Sequence, residues 1–133
     1  EEVTLAKEVE YLENYLGLQK LRQHQPEIAF QVTNKKDRMI SPLLLLVPVE
    51  NAFKHGVEKL TEGAFVNILL ESNDEKLRFQ VENNFDPDST SHQPGIGLEN
   101  LKRRLELAHP DAHFLQISKN KQVHQVILEI LWS

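Results

Sequence analysis

Four polar side chains follow a strongly apolar stretch near the middle of the chain. Residues 43–49 are all apolar, and Glu50, Asn51, Lys54 and His55 follow within the next six positions. On a helix, Lys54 and His55 would share a face with Asn51, because residues three and four apart are neighbours. The carbonyl oxygen of Asn is a hard ligand suited to Mg²⁺, and a Lys ammonium attracts phosphate. The pattern indicates a site for Mg²⁺ and phosphate; a polar cap on a core helix is the competing interpretation.

Glu50 allows two interpretations. It projects roughly 100° around the helix from Asn51, so these two side chains point in different directions. It is either a catalytic carboxylate that holds a metal-bound water beside Asn51, or the partner of Lys54 in an ion pair four residues apart. The sequence alone leaves both roles open.

A second cluster, GIGLEN, follows the long polar loop of residues 84–94. Its members are Gly95, Ile96, Gly97, Leu98, Glu99 and Asn100. Two glycines before a helix let backbone N–H groups approach an anion, and the helix dipole favours negative charge there. The dinucleotide fingerprint is not met, because Asn100 stands where its last glycine belongs, and GxxxxGK[ST] is absent. A simple loop-to-helix turn is the alternative, but both clusters together supply what a nucleoside triphosphate beneath a lid requires.

Hydrophobic periodicity predicts the helices and strands that must position these clusters. The predicted helices are residues 1–22, 41–55 and 95–109, and the predicted strands are residues 28–33, 64–72, 76–83, 114–118 and 123–131. Strands adjacent in sequence pair as hairpins, so we expect a mostly antiparallel sheet. Three helices can cover one of its faces, which predicts an α+β fold, a two-layer α/β sandwich.

The helix that carries Asn51 has recognisable start and stop residues. Ser41 is a good N-cap, and Pro42 is tolerated at the first helical position. Gly56 suits the left-handed residue that follows a last turn. Pro48 should kink the helix, because it lacks a backbone N–H.

The first predicted helix carries a heptad-like apolar stripe. Leu5, Val9, Leu12 and Leu16 recur at steps of four, three and four. Either this helix lies on its own domain, or it is the end of a longer helical bundle.

Composition excludes several classes of function. The chain has 133 residues, 40% hydrophobic and 26% charged, which fits one globular domain with a net charge of -5. Its basic residues are scattered, which argues against nucleic acid as a partner. No stretch approaches the roughly 18 apolar residues of a membrane span, so we expect no membrane contact by this segment. The absence of cysteine excludes thiol catalysis and disulfides.

Both clusters resemble motifs of a known family. PLLLLVPVENAFKHG resembles the N box of LytS-type sensor histidine kinases, members of the GHKL ATPase superfamily, and PGIGLENLKRRLEL resembles their G box, GxGLxNxxxRL. YLENYLGLQKLRQ resembles the linker that follows the phosphoacceptor helices in these kinases. The resemblance covers almost the whole chain and implies the Bergerat fold, which is a mixed sheet with helices on one face. ATP and Mg²⁺ would be bound between the helix layer and a lid.

The resemblance also implies roles for individual residues. Asn51 matches the Mg²⁺-coordinating Asn, while Lys54 and His55 match positions that approach the phosphates. The phosphate-binding segment corresponds to Gly95, Ile96, Gly97, Leu98 and Asn100, and the lid to residues 84–94. Asn83 takes the place of the Asp that reads the adenine amino group, with Asn84 as the alternative. Val47 stands where ATP-hydrolysing members carry an acidic base, which argues against efficient hydrolysis.

As a histidine kinase catalytic domain, residues 23–133 would bind Mg·ATP, and residues 1–22 would be the end of the dimerisation helix and linker. The γ-phosphoryl would pass to a His on upstream phosphoacceptor helices, since none of the six histidines here has a matching context. The whole protein would be a bacterial homodimer, cytoplasmic in this part and anchored in the inner membrane, with a LytTR-type response regulator as partner. We expect little activity from this domain alone. The alternatives are a degenerate GHKL module that binds only protein and an ATP-hydrolysing clamp.

Overall fold

The computed structural model describes residues 1–22, 24–34, 36–88 and 96–132. Its elements in chain order are β1 (Val3–Thr4), α1 (Leu5–Gln19), β2 (Glu27–Asn34), β3 (Met39–Ile40), α2 (Leu46–Lys54), a 3-10 helix (Val57–Lys59), β4 (Phe65–Ser72), β5 (Lys76–Asn84), α3 (Ile96–Ala108), β6 (His113–Lys119) and β7 (Val123–Leu131). The predicted helices and strands are therefore all present, and a short antiparallel pair of β1 with β3 is additional.

The five longer strands form one sheet in the order β2-β4-β5-β7-β6. β2 runs parallel to β4, and the other three neighbouring pairs are antiparallel. The parallel pair needs a long crossover, and that crossover contains α2, the helix with the first polar cluster. The sheet is thus mixed and mostly antiparallel, as predicted.

Strand alternation places one face of the sheet against the helices. Inward-facing Leu70, Phe79 and Leu128 are fully buried and belong to one core with residues of all three helices. The opposite face carries charged side chains, including Arg78, whose Nη1 lies 3.1 Å from Glu129 Oε2. This division into a covered and an open face confirms the predicted two-layer α+β sandwich.

α1 packs onto the domain itself. Its buried stripe consists of Leu5, Leu12 and Leu16, and all three side chains belong to the common core. Whether the same helix also continues a longer bundle stays a prediction. Among the described residues, no helix is long and apolar enough to cross a membrane.

The prediction that α2 begins at Ser41 is wrong, since the helix begins at Leu46. Leu43 has a φ of 61°, which is incompatible with a helix passing through it. The Ser41 hydroxyl does not cap α2 but accepts a hydrogen bond from Arg104, 2.6 Å away. Pro48 consequently lies in the first turn, where backbone N–H groups have no intrahelical partner, so its missing N–H requires no kink.

Candidate functional site

The C-terminal half of α2 carries the first polar cluster. Asn51 is half-buried, whereas Lys54 and the following His55 are exposed. Lys54 Nζ lies 3.7 Å from Glu50 Oε2 at the surface. Exposed pairs of this kind contribute only about 0.2–1 kcal/mol, so the contact leaves the Lys54 ammonium free to exchange partners. The ion pair expected for Glu50 is present, and its role with a metal-bound water stays a prediction.

Asn83 lies near the C-terminal end of β5, and its side chain projects to the helix-facing side of the sheet. The residue is only 2% exposed. Its Nδ2 donates to the carbonyl oxygen of Asn84 at 2.9 Å. Its Oδ1 is buried and has no hydrogen-bond partner among the described residues. A buried acceptor without a partner costs about 1–3 kcal/mol, so the geometry is suited to a ligand that brings a donor.

The neighbouring Asn84 faces the other side of the sheet and uses both halves of its amide. Its Oδ1 accepts from Phe65 N at 2.9 Å, and its Nδ2 donates to Gly63 O at 2.8 Å. These bonds tie the start of β4 to the end of β5. Of the two adjacent amides, Asn83 therefore has the available acceptor.

Gly56 brings the end of α2 against Asn83. A Cβ at this position would overlap Asn83 Nδ2 and lie 2.5 Å from Ala52 O. The predicted left-handed conformation is wrong, because φ of Gly56 is -125°. The position requires glycine because a side-chain amide approaches its backbone, and this approach places Asn83 beside the end of α2.

The start of α3 packs against the first turn of α2. A Cβ at Gly97 would lie 3.5 Å from Val47 Cγ1, and Val47 precedes Asn51 by one helical turn. Ile96 is the first residue of α3, Leu98 is half-buried, and Asn100 is exposed. The structure thus places the glycine-rich start of α3 against α2, one helical turn before Asn51. Gly95 and residues 89–94 of the predicted lid lie outside the described residues.

The N-terminal end of α2 is held by two residues that sequence reasoning missed. The Glu8 carboxylate, 3% exposed, accepts from Leu43 N and Leu45 N, each at 2.9 Å. Arg104 Nη2 donates to Ser41 Oγ at 2.6 Å and to the carbonyl oxygen of Pro42 at 2.8 Å. We call these contacts of Glu8 and Arg104 with residues 41–45 the α2 clamp. The sequence signal that could have identified Glu8 is its position in the apolar stripe of α1, between Leu5 and Leu12.

Tyr15 of α1 supports the other half of α2. Its ring packs edge-on against Phe53 with centroids 5.8 Å apart. Burial, and then the negative charge of Glu50, raise the pKa of Tyr15 to about 12. The phenol therefore stays neutral at physiological pH, and α1 contacts α2 at Phe53 in addition to the segment before it at Leu43 and Leu45.

Within the described residues, no three His, Cys, Asp or Glu side chains are grouped as a metal site. The candidate Mg²⁺ ligand is the Asn51 amide.

No family model matches the chain. Sensor histidine kinase BtsS of Escherichia coli (strain K12) is 26% identical over 136 residues, covering 98% of this chain and 24% of that protein. Sensor protein LytS of Staphylococcus haemolyticus is 30% identical over 118 residues, covering 77% of this chain and 20% of that protein. The chain therefore spans about a quarter or less of these relatives.

The nucleotide-free catalytic domain of histidine kinase ThkA superposes with a TM-score of 0.71 at 16% identity, covering 98% of this chain and 94% of that one. The fold is that of a histidine kinase catalytic domain. A structure of ThkA in complex with response regulator TrrA superposes with a TM-score of 0.64 at 16% identity, covering 100% of this chain and 42% of that one. The resemblance to LytS-type sensor histidine kinases is confirmed in sequence by BtsS and LytS and in fold by ThkA.

Proposed function

We propose that this histidine kinase catalytic domain binds Mg·ATP and donates the γ-phosphoryl to a His on an upstream segment of the same kinase. The observation that carries the proposal is the buried Asn83 Oδ1 without a partner among the described residues. It lies beside the C-terminal end of α2, which presents Asn51 and Lys54. An adenine amino group bound beside Asn83 would supply the donor that this acceptor lacks.

The other residues of the region fit the phosphate end of the same ligand. Lys54 and His55 are exposed at the end of α2, where side-chain donors can reach phosphate oxygens. The first turn of α3, with Gly97 and Leu98, presents backbone N–H groups and the positive end of its dipole. Mg²⁺, held by the Asn51 amide oxygen, would supply charge neutralisation on the phosphates.

The proposal extends to the intact kinase. Residues 1–22 would be the end of the dimerisation helix and linker, and residues 23–133 the catalytic domain of a homodimer. The complex of ThkA with TrrA supports a response regulator as partner, which we propose to be of the LytTR type. The domain would be cytoplasmic in a bacterial kinase anchored in the inner membrane.

Calorimetric titration with Mg·ATP tests nucleotide binding, and repeating it with EDTA isolates the Mg²⁺-dependent part. Asn51→Ala should weaken Mg·ATP binding about tenfold, as expected for a lost contact of about 1.4 kcal/mol, and should remove most of the EDTA effect. Asn67, exposed on the open face of the sheet, provides the control Asn67→Ala, which should bind like the wild type.

Absence of binding heat at millimolar nucleotide would contradict the proposal and favour a module that binds only protein. Steady release of inorganic phosphate by the domain alone would favour an ATP-hydrolysing clamp. Kinase activity itself is tested by adding the upstream region and looking for acid-labile, base-stable phosphate.

A further inference from the structure

Four residues lie near one another at the end of the sheet where the predicted lid begins: Asn83, Phe85, Lys119 and His124. Asn83 lies directly opposite His124 in the pairing of β5 with β7, and Lys119 lies opposite His124 in the pairing of β6 with β7. Residues directly opposite each other in an antiparallel pair project to the same face, with Cβ atoms about 5 Å apart. His124 is therefore the nearest inward-facing neighbour of Asn83 on β7.

Contacts at the root of the predicted lid hold this arrangement in place. Phe85 N donates to the carbonyl oxygen of Gln122 at 3.1 Å. Lys119 Nζ lies 4.5 Å from the centroid of the Phe85 ring, within the range of a cation–π contact. In the strand register, His124 thus lies between Lys119 and the buried Asn83.

The imidazole of His124 is half-buried. Burial, and then repulsion by the positive charge of Lys119, hold the pKa of His124 below its usual value of 6.5. At neutral pH the ring is uncharged, so one ring nitrogen donates a hydrogen bond and the other accepts one.

Adenine carries a donor amine with acceptor ring nitrogens on either side, N7 at one edge and N1 at the other. A protein site that matches either edge must present an acceptor to the amine and a donor to the neighbouring ring nitrogen. Asn83 Oδ1 supplies the acceptor. We propose that His124 is a second base-reading residue, which donates its ring N–H to the adenine nitrogen next to the amine bound by Asn83. This inference rests on the proposed nucleotide site and adds a contact to it.

The test compares Mg·ATP with 1-deaza-ATP and 7-deaza-ATP, which each replace one of the two candidate nitrogens by C–H. One deaza analogue should bind the wild type about five- to tenfold more weakly than ATP, the usual effect of one lost hydrogen bond. His124→Ala should weaken ATP binding by a similar factor and bind that analogue as well as it binds ATP. His124→Gln keeps an N–H donor and should recover part of the affinity, and thermal unfolding of each variant checks that it is folded.

His113→Ala is the matched control, because His113 lies on the helix-facing side of the same sheet at the opposite end of β6. It should bind ATP like the wild type. ATP binding that is unchanged in folded His124→Ala and His124→Gln, or a deaza penalty that persists without the imidazole, overturns the inference and leaves the proposed function standing. Failure of the wild type to bind ATP overturns both.

Discussion

The two ends of α2 are built in opposite ways. At the N-terminal end, the α2 clamp pairs the Glu8 carboxylate with two backbone N–H groups and Arg104 with two oxygens. At the C-terminal end, Lys54 and His55 are exposed, and the adjacent Asn83 Oδ1 lacks a partner among the described residues. The N-terminal end is held by hydrogen bonds to residues distant in sequence. The C-terminal end presents polar groups that can still form hydrogen bonds to a ligand.

This difference indicates how one helix serves both structure and binding. A charge buried with its hydrogen bonds satisfied holds the helix in one position. A buried acceptor left without a partner is destabilising, by about 1–3 kcal/mol, unless a ligand supplies the donor. We therefore expect substitutions at the N-terminal end to change stability, and substitutions at the C-terminal end to change binding.

Glu8→Ala should have the largest effect. It removes the carboxylate that accepts hydrogen bonds from the backbone N–H groups of Leu43 and Leu45. The free energy of unfolding should therefore fall by about 3 kcal/mol or more. Urea unfolding measures the change. Glu10→Ala on the exposed side of the same helix should cost less than about 0.5 kcal/mol. Equal losses for the two variants would show that the α2 clamp does not hold the helix.

Gly56→Ala should come next and should affect both properties. The new methyl group would meet the Asn83 amide and the Ala52 carbonyl oxygen, so unfolding should become easier by about 2 kcal/mol and Asn83 should be displaced. Mg·ATP affinity should fall in parallel, as calorimetry can measure.

Gly17→Ala is the matched control for that substitution. Gly17 lies in α1 with nothing within 4 Å of an added Cβ, so alanine there should stabilise the protein by about 0.5–1 kcal/mol. If Gly56→Ala left the free energy of unfolding unchanged, the close approach of the Asn83 amide would not be the reason for glycine at position 56.

The smallest effect concerns pH. The pKa of His124 is lowered in the folded protein, so the unfolded chain binds the proton more readily, and stability should fall as the pH drops below 6.5. The loss cannot exceed about 1.4 kcal/mol per pH unit for one group. His124→Gln should make the unfolding free energy less sensitive to pH between about pH 7 and about pH 5.5, with urea unfolding as the measurement. Part of this dependence on pH should remain in the variant, because burial also lowers the pKa of His109. An unchanged slope in His124→Gln would contradict the burial of a neutral imidazole beside Asn83.

Much of the fold was predictable because its signals are local. Alternation along β5 and the apolar spacing of α1 follow from neighbouring residues, and the structure has these elements within a few residues of their predicted bounds. The polar cluster that ends α2 and the glycine-rich start of α3 were recognisable for the same reason. Their roles in binding remain predictions for the experiments above.

The start of α2 was not predictable, because distant residues decide it. Ser41 and Pro42 are good local start signals, yet the carboxylate of Glu8, 35 positions before Leu43, takes the backbone N–H groups of that turn. Likewise, glycine at position 56 and the pairing of Asn83 with His124 depend on strands and helices that meet only in the folded chain. The sequence by itself determined which segments form helices and strands and which of them carry the polar and the glycine-rich cluster. Only the tertiary structure decided which polar groups are satisfied and which remain available, because hydrogen-bond partners are set by distance in space and not by distance along the chain.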